Sequence, residues 1–116
     1  MRLAISNLGK SFQGVPVLRD VSFEVGHGEL VSIIGPSGVG KTTLLHIIAG
    51  LEQADRGTVA TDRPITREAP AILVFQDYVL FPNMTVFENV AFGLRARRLP
   101  RAEIRRRVTD MLGYFH

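Results

Sequence analysis

The sequence predicts an α/β protein built around an anion-binding loop, and three adjoining features carry that prediction. Leu30-Val31-Ser32-Ile33-Ile34 is a short, mostly apolar run of the kind that forms a strand covered on both faces. Gly35 ends it and opens a glycine-rich stretch. Lys41–Ala49 then continues with Leu44, Leu45, Ile47 and Ile48, too apolar for a surface helix, and Gly50 stands where a helix C-cap belongs. The glycine-rich stretch therefore lies between a buried strand and a buried helix.

The remaining elements follow in order. Val21, Phe23 and Val25 alternate with Ser22 and Glu24, which predicts a half-buried strand, and His27-Gly28 marks a turn after it. Gly57–Thr61 reads as a short strand and Asp62–Pro70 as a polar connection with two prolines. Ala71–Phe75 is a second fully apolar strand, followed beyond Gln76 by an irregular stretch to Met84 that contains Pro82. Thr85-Val86-Phe87-Glu88 fits a capping box, and the helix it opens puts Val86, Phe87, Val90, Ala91 and Leu94 on one side. A last helix is expected from Pro100, with Ile104, Val108, Met111, Leu112 and Phe115 at helical spacing.

With 116 residues the chain can build one small core, and an apolar fraction of 46% argues against disorder. The absence of cysteine excludes a disulfide framework and a thiolate metal site. No signal-like apolar core opens the chain, and no run of about 18 apolar residues could span a bilayer, so a cytoplasmic protein is expected. The net charge of +3 is unevenly spread: residues 1–94 sum to −2 and residues 95–116 to +5. Arg95, Arg97, Arg98, Arg101, Arg105, Arg106 and Arg107 form this basic patch. They raise the alternative of a nucleic-acid or anionic-lipid surface, but no aromatic residues interleave with them and no nucleic-acid fold signature accompanies them, so a solvated helix face is expected.

Gly35-Pro36-Ser37-Gly38-Val39-Gly40-Lys41-Thr42 matches G-x-x-x-x-G-K-[ST] at every position. The spacing has a chemical reason. Glycines let backbone N–H groups converge on phosphate oxygens, and the following helix points its positive end at the same anion. Lys41 reaches the outer phosphates, and the Thr42 hydroxyl suits Mg²⁺. In a chain this short a chance match is expected on the order of once in a few hundred sequences of average composition. The loop Gly35–Thr43, with Ser37, Gly38, Val39, Gly40, Lys41, Thr42 and Thr43, is the expected site for ATP and Mg²⁺.

Three longer stretches narrow the class. LGKSFQGVPVLRDVSFEV, GPSGVGKTTLLHIIAGL and VFQDYVLFPNMTVFENVAFGL together resemble the nucleotide-binding subunit of an ABC transporter, over nearly the whole chain. The last of them looks most like importers of sulfate, iron, polyamines or sugars. The resemblance implies a RecA-like P-loop NTPase core with an N-terminal antiparallel β subdomain (residues 1–84, up to the Q-loop) and the start of a helical subdomain (residues 85–116), an incomplete cassette. It places Phe12 against adenine, where tyrosine is usual, and Val17 beside the base. It makes Gln76 the Q-loop glutamine, a contact for Mg²⁺ or the attacking water, and so assigns Lys41 and Gln76 to catalysis and Thr42 and Gln76 to the metal. A rival reading takes Ile72–Phe75 and Asp77 as the apolar strand and metal-binding acid of other P-loop enzymes, but Gln76 intervenes and moves Asp77 off register.

The same resemblance implies an ATPase that couples hydrolysis to transport, peripheral on the inner face of the membrane. Its partners would be transmembrane permease subunits and a second ATP-binding subunit, with no nucleic acid. The chain itself shows no signature motif, no apolar run ending in Asp-Glu and no switch histidine, His27, His46 and His116 being structural or solvated, so it is not expected to hydrolyse ATP alone. Two alternatives stand beside this one: a binding-only remnant, and a soluble ABC-family ATPase of DNA repair or translation.

Overall fold

The computed structural model describes residues 1–65, 71–77 and 79–115. Pro70, Tyr78 and His116, which figure in the expectations above, lie outside them. The chain divides into two compact units, Met1–Val74 and Phe75–His116.

In the first unit, β1 (Leu3–Phe12), β2 (Val15–Val25) and β3 (Arg56–Thr61) form an antiparallel sheet in the order β2-β1-β3, and α1 spans Lys41–Ile48. Gln13 and Gly14 join β1 to β2 with φ of 48° and 80°, the pair of left-handed residues that a tight hairpin turn requires. Val21, Phe23 and Val25 are half-buried and Ser22 and Glu24 exposed, as their alternation predicts, and the strand extends back to Val15. The alternation rule does not reveal β1. Its buried hydrophobic residues Ile5 and Leu8 lie three apart, because register shifts between them and a left-handed Asn7 (φ 50°) break the period of two. Opposite this irregularity β3 carries Gly57 (φ 84°). A Cβ there would stand 2.5 Å from the carbonyl oxygens of Ser6 and Asn7, so only glycine fits. Leu44 and Ile47 of α1 pack with Ile5, Leu8 and Leu18 as the core of the unit. Leu8 is fully buried, and such burial stabilises by roughly 1.5–3 kcal/mol relative to exposure.

Helix α1 ends as Gly50 implies. With φ 76°, Gly50 donates to Ile47 O at 3.1 Å and Leu51 to His46 O at 2.8 Å, the paired bonds of a Schellman stop. The chain from there to β3 is tied to β1 by polar contacts. Lys10 Nζ donates to Glu52 Oε1 and to Gln53 O, each at 2.8 Å, and the backbone N–H of Ser11 donates to Asp55 Oδ2 at 2.7 Å. The hydrogen bond from Lys10 holds the Glu52 carboxyl below its ordinary value of 4.5, and the same bond raises Lys10 above 10.5. A depressed acid stabilises above its unfolded value and loses that contribution as pH falls through its folded one; a raised base does the reverse. This tether is therefore complete between about pH 4.5 and 10.5 and weakens on either side. The difference in urea midpoint between wild type and Lys10→Met should be largest inside that window and shrink below pH 4.5. A difference independent of pH would show that the ion pair adds nothing.

Two expectations fail in this unit. Leu30–Ile34 and Ala71–Val74, the described part of the second apolar run within it, join no sheet; nor does Phe75, at the start of the other unit. Leu30 is 94% exposed, Ile34 93%, Ile72 82% and Val74 88%. The physical reason is that apolar composition specifies burial but not a partner. The sheet formed among the described residues is β2-β1-β3, and neither run bonds to it.

In the second unit, α2 (Val86–Ala96) packs on α3 (Arg101–Gly113) through Ala91, Ile104 and Val108, with Phe87, Leu94, Leu99 and Leu112 around them. The expected capping box is present: Glu88 N donates to Thr85 Oγ1 at 3.2 Å and Thr85 N to Glu88 Oε2 at 2.9 Å. Helix α3 starts one residue after Pro100, which occupies the cap. Met111 and Phe115, expected on its inner face, are 55% and 80% exposed. Ile104, Val108 and Leu112 already form the stripe that meets α2, Met111 lies off it, and Phe115 follows the helix end. On α2 the same holds for Val86, 68% exposed, and Val90, 38% exposed.

Candidate nucleotide-binding site

The glycine-rich loop enters α1 through left-handed backbone at Gly38 (φ 78°) and Gly40 (φ 106°). Gly40 is buried and caps the helix. A Cβ on it would meet Val17 Cγ1 and Val17 O at 2.9 Å and Leu18 Cδ2 at 3.0 Å, so the loop rests directly on β2 at Val17. Any side chain at position 40 would lift the loop off the strand and strain its backbone. Gly35 is similarly close to Val39, whose Cγ1 would be 2.9 Å from a Cβ there.

Because the cap is a glycine, no side chain accepts from the first turn of α1. Leu44 N is the first to bond back, to Gly40 O at 2.9 Å. The N–H groups of Lys41, Thr42 and Thr43 thus stand at the positive end of the helix without an acceptor among the described residues, the arrangement that suits an anion. Lys41 Nζ folds back on the loop and donates to Gly35 O and Pro36 O, both at 2.6 Å. The ammonium thereby satisfies two carbonyls that point into the loop, and an arriving phosphate would have to draw it away. Ser37, Gly38, Val39 and Thr42 are exposed beside it.

The other expected site residues are distributed as follows. Val17 is half-buried against Gly40. Phe12 closes the hairpin opposite Val15 and is 43% exposed, with Lys10 Nζ 5.0 Å from its ring centroid. Gln76 and Asp77 lie in an exposed bend of the second unit. His27 is exposed in its turn and His46 half-buried on α1. Among the described residues no cluster of three His, Cys, Asp or Glu side chains could hold a metal by itself.

One feature of the second unit has no counterpart in the motif reading. Asn89 on α2 grips the preceding segment: its Oδ1 accepts from Phe81 N at 2.8 Å, while Nδ2 lies 3.2, 3.1 and 3.0 Å from the carbonyls of Phe81, Met84 and Thr85. The Phe81 ring packs on Phe92 with centroids 4.6 Å apart. Val79, Leu80, Phe81 and Met84 nonetheless remain 65%, 68%, 41% and 36% exposed. An asparagine four residues into a capped helix was the available signal, but its partners could not be read from spacing.

The glycine loop and the helix N-terminus that follows it have the form of the loop-and-helix part of a P-loop. The sequence pattern of the family described as ABC transporter matches residues 18–115, and the chain belongs to that family. It is 48% identical over 115 residues to the spermidine/putrescine import ATP-binding protein PotA of Vibrio vulnificus, covering 95% of this chain and 30% of that protein. It is 50% identical over 121 residues to the sulfate/thiosulfate import ATP-binding protein CysA of Methylococcus capsulatus, covering 97% of this chain and 35% of that protein. The chain thus spans about a third of the length of these relatives. Among solved structures it resembles the dimeric post-hydrolysis state of an ATP-binding cassette bound to ADP and Pi, with a TM-score of 0.78 and 28% identity over 96% of this chain and 56% of that one. No helix among the described residues is long and apolar enough to cross a membrane.

Proposed function

We propose that this chain is the nucleotide-binding part of the ATP-binding subunit of a bacterial importer, taking MgATP on the loop Gly35–Thr43. The observation that carries the reading is the loop itself: N–H groups at the head of α1 without an acceptor among the described residues, a backbone pressed onto β2, and a lysine held in reserve on loop carbonyls. The β- and γ-phosphates would receive the N–H groups and Lys41, with Phe12 and Val17 on the base side. The donor chemistry fits Mg²⁺, since Thr42 and Gln76 offer neutral oxygens and leave the rest of the shell to phosphate and water. Thr42 and Gln76 would hold the ion, which spreads phosphate charge when bound. Lys41 and Gln76 would act in hydrolysis by fixing the phosphate and the water. The 116 residues alone are proposed to bind nucleotide without turning it over.

The relatives are named as import ATP-binding proteins and the cassette it resembles is dimeric, which supports permease subunits and a second cassette as the proposed partners at the cytoplasmic face. Its relatives serve polyamines and sulfate at nearly equal identity, which sets the reading at the importer class. The contiguous apolar segment Val79–Met84, shaped by Asn89, supports a covering partner, because such a patch is costly in water. Phe81→Glu in the transporter should abolish co-purification with the permease while leaving the ATP dissociation constant within about twofold, since Phe81 belongs to the unit that lacks the loop. Undiminished co-purification would remove this segment from the interface.

A further inference from the structure

Of the seven arginines of residues 95–107, two are ion-paired and three line one cavity; Arg97 and Arg98 do neither among the described residues. Glu103 receives Arg106 Nη2 at 2.9 Å and Arg107 Nε at 2.5 Å, and Asp110 lies 3.5 Å from Arg106 Nη1. Those guanidinium groups hold the Glu103 carboxyl below its ordinary value. Arg95, Arg101 and Arg105 make no ion pair among the described residues. With Phe87, Leu99 and Ile104 they line a cavity of about 720 Å³ where α2 gives way to α3. Its apolar wall is Ile104, 7% exposed, with Phe87 and Leu99 half-buried.

With seven arginines against Glu103 and Asp110, most must go without an acidic partner on the segment; what sets Arg95, Arg101 and Arg105 apart is that they share one concavity, which Arg97 and Arg98 do not line. Glu88, whose carboxyl is held below its ordinary value by its hydrogen bonds with Thr85 and also by Arg95, offsets part of this charge, and Arg101 and Arg105 leave the concavity net positive, which favours an anion. Each guanidinium brings a fork of donors that matches phosphate or carboxylate oxygens, while the wall beneath offers only carbon. The volume lies within the range of small-molecule sites. We propose that this cavity binds a small amphiphilic anion, a phosphate or carboxylate carried on a short apolar chain or ring. The site is independent of the proposed nucleotide loop, which belongs to the other unit.

Calorimetry and amide chemical shifts on the chain, kept dilute enough to sediment as a monomer, test this with hexyl phosphate as the probe. One-to-one binding is expected with a dissociation constant below about 1 mM, with shifts concentrated at residues 95–105. The double variant Arg101→Gln/Arg105→Gln should weaken it about tenfold, and Arg105→Gln alone about threefold. Arg106→Gln/Arg107→Gln removes the same charge from the same helix and should change it less than twofold, with helix content monitored by circular dichroism in every variant. Equal losses in the two double variants would overturn the proposal, because they would reveal general attraction to a basic surface. So would inorganic phosphate binding as tightly as hexyl phosphate, or binding to phosphatidylglycerol vesicles with none to hexyl phosphate.

Discussion

Replacing Lys41 with alanine is expected to raise the dissociation constant for MgATP by about ten- to a hundredfold. Hydrogen bonds to charged groups contribute about 1.5–3 kcal/mol, and each 1.4 kcal/mol is tenfold in affinity. Lys41 Nζ must leave Gly35 O and Pro36 O to reach the nucleotide, so the gain is the difference between phosphate oxygens and two carbonyl dipoles. That exchange keeps the effect moderate. The alanine variant also leaves both carbonyls without the ammonium, so the loop should show faster amide exchange even before nucleotide is added. Calorimetric titration of both proteins measures the first effect, and equal affinities would mean that Gly35–Thr43 is not the phosphate site. Phosphate release from the 116 residues should stay at background in both. Release by the wild type that vanished in Lys41→Ala would show a complete catalytic site, since a contaminating ATPase would not respond to the substitution.

The second large effect concerns the two apolar runs. Leu30–Ile34 and Ala71–Val74 should exchange their amide hydrogens almost without protection, while β1 and β2 exchange slowly. Leu30, Ile34, Ile72 and Val74 together forgo several times the roughly 1.5–3 kcal/mol that burial of each would contribute. The net stability of a whole domain is only about 5–15 kcal/mol, so four such side chains matter as much as the margin itself. Exposed apolar segments that join no sheet also invite association. The isolated 116 residues are therefore expected to self-associate as concentration rises, unless the two runs find strands to pair with. Hydrogen exchange followed at several concentrations is the direct measurement. Strong, concentration-independent protection of both runs in a monomer would show that these residues encode more of the fold than their exposure indicates.

Much of the candidate site was legible because its signals are local. The loop Gly35–Thr43 is specified by which residues tolerate left-handed backbone and which carry a cation or hydroxyl at the head of a helix. Gly50 and the Thr85–Glu88 box announced helix ends for the same reason, since each acts within one turn of its own position. Gln76 shows the limit of such reading: motif context names it, yet it belongs to a different compact unit from the loop it is proposed to serve.

From the sequence alone came the P-loop, the family resemblance, the starts of three helices to within a residue, and the basic character of residues 95–107. Only the tertiary structure decided that β1 is bulged at Asn7, that Lys10 ties β1 to Glu52, and that Asn89 holds Phe81–Thr85. It also separated Arg106 and Arg107, which are paired, from Arg95, Arg101 and Arg105, which line a cavity. It left Leu30–Ile34 without the sheet that its composition anticipates. The physical reason is one of range. A dihedral preference or a cap is settled by atoms a few residues apart, whereas a ladder, an ion pair or a cavity depends on which distant segment arrives opposite, and hydrophobicity alone does not name that partner.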